Sequence, residues 1–163
     1  MQLINYKLAT TEDFDAFFKI KCDPENIKWS GFSQAPDKYR LYSWYLKILQ
    51  SDKRTIYLVE FDAVIVGFFY LDKIDSERYV AASSGILKEY ANLGIGTKTI
   101  VWRENLAREK GGKIIETWVS ELNQYSYKRL IKNGWLKTSC YEIKDIPLAG
   151  GAQKFYKWEK SLN

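Results

Sequence analysis

Apolar and polar positions alternate along INYKLAT, which predicts a first strand. Thr11-Glu12-Asp13 follows: a hydroxyl that can cap, then two acids suited to the positive end of a helix. A helix is therefore expected through about Lys21, with Cys22-Asp23-Pro24-Glu25-Asn26 breaking it and a loop carrying Trp29, Gly31 and Phe32. Asp37 to Gln50 predicts a second helix, with Tyr42, Tyr45, Leu46 and Leu49 on one face. TIYLVEF and VIVGFFYL, separated by Asp62-Ala63 alone, predict an antiparallel hairpin, and YVAASSGIL a further strand. A helix is expected from about Gly94 to Lys110, with Ile95, Thr99, Trp102 and Leu106 on one face. Arg108 and Lys110 suit its C-terminal end, and Gly111-Gly112 stop it. IIETWVSEL is the next strand, and Gln124 to Lys132 a short helix ending at Asn133-Gly134. TSCYEIKDI and QKFYKWEK then read as two strands joined by Pro147-Leu148-Ala149-Gly150-Gly151.

The order is thus β α α β β β α β α β β. The one strand–loop–helix–strand unit is expected as a right-handed crossover. The class is α/β (α+β): a single mixed, mostly antiparallel sheet flanked by helices. The 163 residues fit one domain spanning 1–163, long enough to bury a real core.

Composition narrows the chemistry. Histidine is absent and the two cysteines, Cys22 and Cys140, belong to no ligand-spacing pattern, so no metal site is expected and histidine triads lack their parts. No stretch approaches the run of about 20 apolar residues a membrane span needs. The N-terminal MQLINYKLATTEDF lacks the basic and apolar regions of a signal peptide, and a cytoplasmic location is expected. The formal charge of +5 favours anionic ligands. The basic residues are scattered rather than clustered, so nucleic acid is not expected as a partner.

The stretch EYANLGIGTKT carries a Gly-x-Gly between a strand and a helix. A P-loop needs four residues between its glycines and Lys-Ser/Thr after the second, and Gly94-Ile95-Gly96-Thr97-Lys98 has neither. A dinucleotide turn needs its first glycine at the strand end, but Lys88-Glu89-Tyr90-Ala91-Asn92-Leu93 intervene, and Thr99 stands at the third glycine place. A loop of backbone amides running into a helix N-terminus fits the whole stretch. Both parts bind pyrophosphate, and glycines let the backbone come close. The strand before the loop can hydrogen-bond an elongated amide-bearing arm. A pyrophosphate with such an arm is coenzyme A.

Residues 84–135 resemble the GNAT superfamily of acetyl-CoA-dependent N-acetyltransferases. The family's apolar–x–Pro–x–x–Arg/Gln–x–x–Gly–x–Gly/Ala frame is filled by Ile86-Leu87-Lys88-Glu89-Tyr90-Ala91-Asn92-Leu93-Gly94-Ile95-Gly96. Val119, Asn123 and Gly134-Trp135 match the following strand end and the helix closing in Gly–aromatic. Thr11-Glu12-Asp13 and Val64-x-x-Gly67 are weaker echoes. The chain departs from the frame at Lys88, where the family has proline, and at Ala91, where it has Arg or Gln. Leu130 stands where many members carry a tyrosine, while Asn123–x–x–Ser126 resembles the branch of ribosomal-protein and polyamine acetyltransferases.

The resemblance implies direct acetyl transfer from acetyl-CoA to a primary amine of a small molecule, an amino sugar or polyamine. Protein N-termini as acceptors, or a non-catalytic acyl-CoA-binding module, are the alternatives. It implies coenzyme contacts from Ile86, Leu87, Lys88, Asn92, Leu93, Gly94, Ile95, Gly96, Thr97, Asn123 and Ser126. The Leu87 amide would stabilise the oxyanion. Ser126 would serve the sulfur in place of tyrosine. Glu116, or waters ordered by Ser83 and Ser84, would act as base, the usual glutamate being absent near Ala81 and Ala82. Trp29 and Glu116 would line the acceptor pocket. An aromatic C-terminal strand, QKFYKW, could pair across a homodimer.

Overall fold

The structure, a computed structural model, describes residues 3–163. Strand β1 (Ile4–Leu8) leads through a 3-10 turn (Thr11–Asp13) into α1 (Phe14–Lys21). Asp13 ties the entry: its carboxylate accepts from the Thr10 amide, the Thr10 hydroxyl and Lys7. Where the sequence reads as a loop, a six-residue helix α2 (Pro24–Trp29) forms. Asp23 caps it by accepting from the Glu25 amide at 3.1 Å, and Pro24 at the first helical position loses no needed donor. The break is real, and it is also a helix start.

Helix α3 (Lys38–Leu49) is capped by Asp37. Its inner face differs in phase from the expected one. Tyr45 is fully buried, and Leu41, Trp44, Ile48 and Leu49 pack beside it, whereas Tyr42 lies on the rim against Phe14. Strands β2 (Arg54–Phe61) and β3 (Val64–Lys73) form the expected hairpin. Asp62 and Ala63 both have positive φ, 49° and 68°, as a two-residue hairpin turn of matching twist requires. Ala63 carries a Cβ there, at a cost glycine avoids. Ala63→Gly is expected to raise stability by about 0.5–1 kcal/mol, seen as a rise of roughly 1–4 °C in thermal midpoint. An unchanged or lower midpoint would show that the turn is not strained.

β4 (Arg78–Ile86), α4 (Ile95–Glu109) and β5 (Ile114–Ser120) make the crossover unit; α5 (Gln124–Lys132), β6 (Leu136–Ile146) and β7 (Gly151–Ser161) follow. The seven strands lie in the order β1-β2-β3-β4-β5-β7-β6, and only β4 and β5 are parallel. This is the mixed, mostly antiparallel sheet expected. β7 is hydrogen-bonded on both sides, to β5 and β6, so its edge is not available to a second copy. The expectation that QKFYKW pairs across a dimer is corrected by that placement.

Successive residues on β3 serve opposite faces. Phe68 and Tyr70 pack with Phe14, Phe17, Ile20 and Tyr45 of α1 and α3. Phe69 packs with Ile95, and Leu71 with Ile100 and Ala107, all of α4. A bulge on β4 sets two residues, Ala82 and Ser83, against Tyr70. The β4–β5 pairing ends at Val80 and Glu116. Beyond that point the two strands part, and the sheet opens.

Candidate active site

A cavity of about 1070 Å³ occupies the opening and reaches both faces of the sheet. Its edges are Ala81 to Ile86 of β4 and Thr117 to Ser120 of β5. The last bridge between them is the Thr117 hydroxyl, which donates to the Ala81 carbonyl at 2.8 Å. On one face the wall comes from α4 and α5: Gly96, Thr99, Arg103, Ser126 and Arg129. On the other it comes from α1, α2 and β2: Lys21, Asn26, Trp29 and Arg54.

The glycine loop enters α4 beside this cavity. Asn92 (φ 62°) and Gly94 (φ 80°) are left-handed, and Gly94 is the N-cap. The Ala91 amide donates to Lys88 and the Lys98 amide to Gly94. Among the described residues, no amide from Asn92 to Thr97 donates to anything in the protein. Unmet amides converging at a helix N-terminus form an anion cradle. Gly96 also makes room: an added Cβ would stand 2.5 Å from a guanidinium nitrogen of Arg129.

Two arginines that sequence reading passed over share the α4–α5 wall. Arg103, 5% exposed, donates from Nη2 to the carbonyls of Tyr70 and Ala82, both at 2.8 Å, and so pins the β4 bulge. Its Nε and that of Arg129 are buried without a partner. Burial, with the Arg129 charge adding to it, pushes the Arg103 guanidinium down from its ordinary range. Burial does the same to Arg129. The signal for Arg103 was present in the sequence, since it lies on the stripe Ile100–Arg103–Ala107 at helical spacing.

Of the residues singled out in the sequence, Trp29, Ile86, Gly96, Asn123 and Ser126 line the cavity. Asn123 caps α5, accepting from the Ser126 amide at 3.2 Å. Three others are engaged elsewhere. The Leu87 amide donates to Val66 on β3 at 2.8 Å, which removes it as an oxyanion donor. The Lys88 amide donates to Asp23 at 3.1 Å. Glu116, 5% exposed, accepts from Arg78 at 2.8 Å, and Arg78 also bridges to Glu159. Glu116 therefore clamps the closed end of the β4–β5 pair and does not face the cavity. Trp135 is likewise structural, its indole nitrogen donating to buried Glu104 at 2.8 Å.

Asp23 joins α2 to the end of β4 through its two oxygens. Asp23→Ala is expected to cost about 1–2 kcal/mol, or roughly 2–8 °C in thermal midpoint. A shift within 1 °C of zero would show that the α2 wall is held by other contacts.

The chain belongs to the acetyltransferase (GNAT) family, whose model matches residues 14–135. The acyltransferase class expected from the resemblance is the class this family defines. Solved structures share the fold. Spermidine N-acetyltransferase from Vibrio cholerae, in complex with CoA and spermine, superposes with a TM-score of 0.85 at 12% identity, over 98% of this chain and 95% of that one. The phosphinothricin acetyltransferase from Sinorhizobium meliloti, in complex with AcCoA, gives 0.78 at 10% identity, over 98% and 89%. Ribosomal-protein-alanine N-acetyltransferase from Brucella melitensis gives 0.76 at 14% identity, over 96% and 99%. No curated protein matches the sequence. Among the described residues no group of three or more His, Cys, Asp or Glu side chains could hold a metal ion, and no helix is long and apolar enough to cross a membrane.

Proposed function

We propose that the protein transfers the acetyl group of acetyl-CoA directly to the primary amine of a small molecule. The observation that carries this reading is the run of unmet amides from Asn92 to Thr97, entering α4 beside an opening through the sheet. Those amides suit a pyrophosphate, and Arg129 against Gly96 supplies the charge that Ala91 does not. Acetyl-CoA brings the activated thioester; the rest follows from this chain's own groups.

Backbone directions alternate along a strand. Because the Leu87 amide faces β3, the amides of Ile86 and Ser84 face the opening, since the register is regular from Ser84 to Ile86. They are the donors placed to hold the coenzyme's amide arm and to stabilise an oxyanion. The amine forms its bond to the acetyl carbon as the carbon–sulfur bond breaks. Ser126 lines the cavity, which supports its hydroxyl as the group that stabilises the departing thiolate. With Glu116 bound by Arg78, the ammonium proton leaves through water ordered at Ser83 and Ser84.

The reading is tested by calorimetric titration of acetyl-CoA, followed by an assay of CoA release with primary amines. Micromolar binding and amine-dependent release are expected. Absence of binding ends the proposal, and release with peptides alone would transfer it to protein N-termini.

A further inference from the structure

On the α1–α3 face, two cations stand over adjacent aromatic rings of β3. The Lys21 ammonium lies 5.2 Å from the Phe68 ring centroid, and the Arg54 guanidinium 4.7 Å from that of Tyr70. The two rings are 5.1 Å apart. Arg54 has its counter-ion, for Asp72 accepts from its Nε and Nη2 at 2.8 and 2.7 Å. Lys21 has none: among the described residues no carboxylate comes within ion-pair distance of its ammonium, and it makes no hydrogen bond. Lys21 is partly buried on the cavity wall, and burial, with Arg54 adding to it, depresses its pKa. A partly desolvated cation with a ring but no counter-ion beside it carries an uncompensated cost, and an anion brought to it recovers part of that cost.

The rest of the cavity carries the same sign. Its wall holds five cationic side chains, Lys21, Arg54, Arg103, Arg129 and Lys144, against two carboxylates, Glu25 and Asp72. Glu25 is exposed, and Asp72 is already taken by Arg54. Arg103 and Arg129 lie on the α4–α5 side, where the glycine loop is. Lys21 and Arg54 lie on the opposite face, among Asn26 and Trp29. A polyamine entering there would meet its own sign of charge and no free carboxylate at depth.

We propose that the acceptor is an amine that also carries an anionic group, a carboxylate or a phosphate, and that Lys21 receives that group. This rests on the acetyltransferase reading above and names its substrate class. The same charges favour the chemistry. A nearby ammonium and guanidinium disfavour the protonated form of a bound amine, which lowers the demand on a base. They attract the anionic group without binding the amine itself.

The test compares matched acceptors by kcat/KM for CoA release: methionine against methioninamide, glucosamine 6-phosphate against glucosamine, and spermidine. The anionic member of at least one pair is expected to win by about tenfold or more. The pair that discriminates tells carboxylate from phosphate. Lys21→Met, which keeps an apolar stem over Phe68, should bring the preference to within about threefold of parity, and Lys21→Arg should restore it. Acetyl-CoA affinity, measured by calorimetry, should stay unchanged in both variants. The proposal is overturned if spermidine or the uncharged members are preferred, or if Lys21→Met keeps the preference. It is also overturned if acetyl-CoA binds but no anionic amine is acetylated. Should acetyl-CoA itself not bind, the acetyltransferase reading has failed separately. Calorimetry with glucosamine 6-phosphate and methionine on the free protein then decides: binding lost in Lys21→Met supports the anion site, and no binding overturns it.

Discussion

Gly96→Asp is expected to lower acetyl-CoA affinity at least about 100-fold, roughly 2.7 kcal/mol, while leaving the fold in place. The new Cβ would stand 2.5 Å from Arg129 Nη1, and the carboxylate would pair with that guanidinium. The side chain would thus fill the cradle with a fixed negative charge and occupy the cation that a pyrophosphate needs. Position 96 tolerates a side chain in backbone terms, since it lies inside α4 with no positive φ. Gly94→Ala is the contrasting variant. It meets no atom within 4 Å, but its φ of +80° is strained for alanine, at about 1–2 kcal/mol of stability. One variant should fail in binding and the other in stability. Equal acetyl-CoA affinity in Gly96→Asp and the parent protein would remove the loop from the coenzyme site.

Glu104→Ala should produce the largest loss of stability, about 3 kcal/mol, a fall of roughly 6–12 °C in thermal midpoint. Glu104 is 4% exposed and accepts from Trp135 at 2.8 Å and from Lys160 at 2.9 Å. Its removal leaves the Trp135 indole N–H without its acceptor and the Lys160 ammonium without its counter-ion, holding only the Asn133 carbonyl at 2.7 Å, and empties the space between α4 and β7. Glu104→Gln keeps an oxygen for Trp135 and gives up the charge, so about half that loss is expected. If Glu104→Ala unfolds within 2 °C of the parent, water has replaced the carboxylate and the network is not structural.

The elements whose formation is decided between chain neighbours were legible. The Asp62-Ala63 hairpin, the glycine loop ahead of α4, and the strand at IIETWVSEL follow from side-chain period and turn chemistry. Helix α2 could have been read too, because Asp23-Pro24 is both a break and a capped start. The inner face of α3 was harder. Tyr42 and Leu41 sit one residue apart, and which of them turned inward depended on where β2 and β3 lay beneath the helix.

Charge chemistry followed a different rule. Glu116 reads as a candidate base in the sequence, but Arg78, on another strand, takes it. Lys21 and Arg54 are 33 positions apart and become neighbours only once α1 lies across the hairpin, over rings that β3 turns to that face. Leu87 and Ile86 are adjacent in the frame. Which of their amides faces the opening was set by the bond from Leu87 to Val66. The sequence by itself determined most of the secondary structure and the phosphate-suited loop, because these rest on local conformation and short-range periodicity, and it carried the family through the motif resemblance of the Ile86–Gly96 frame. Tertiary structure alone decided which carboxylate is sequestered, which arginine is buried and which lysine lacks a counter-ion. Desolvation and ion pairing depend on neighbours in space, and those neighbours come from distant parts of the chain.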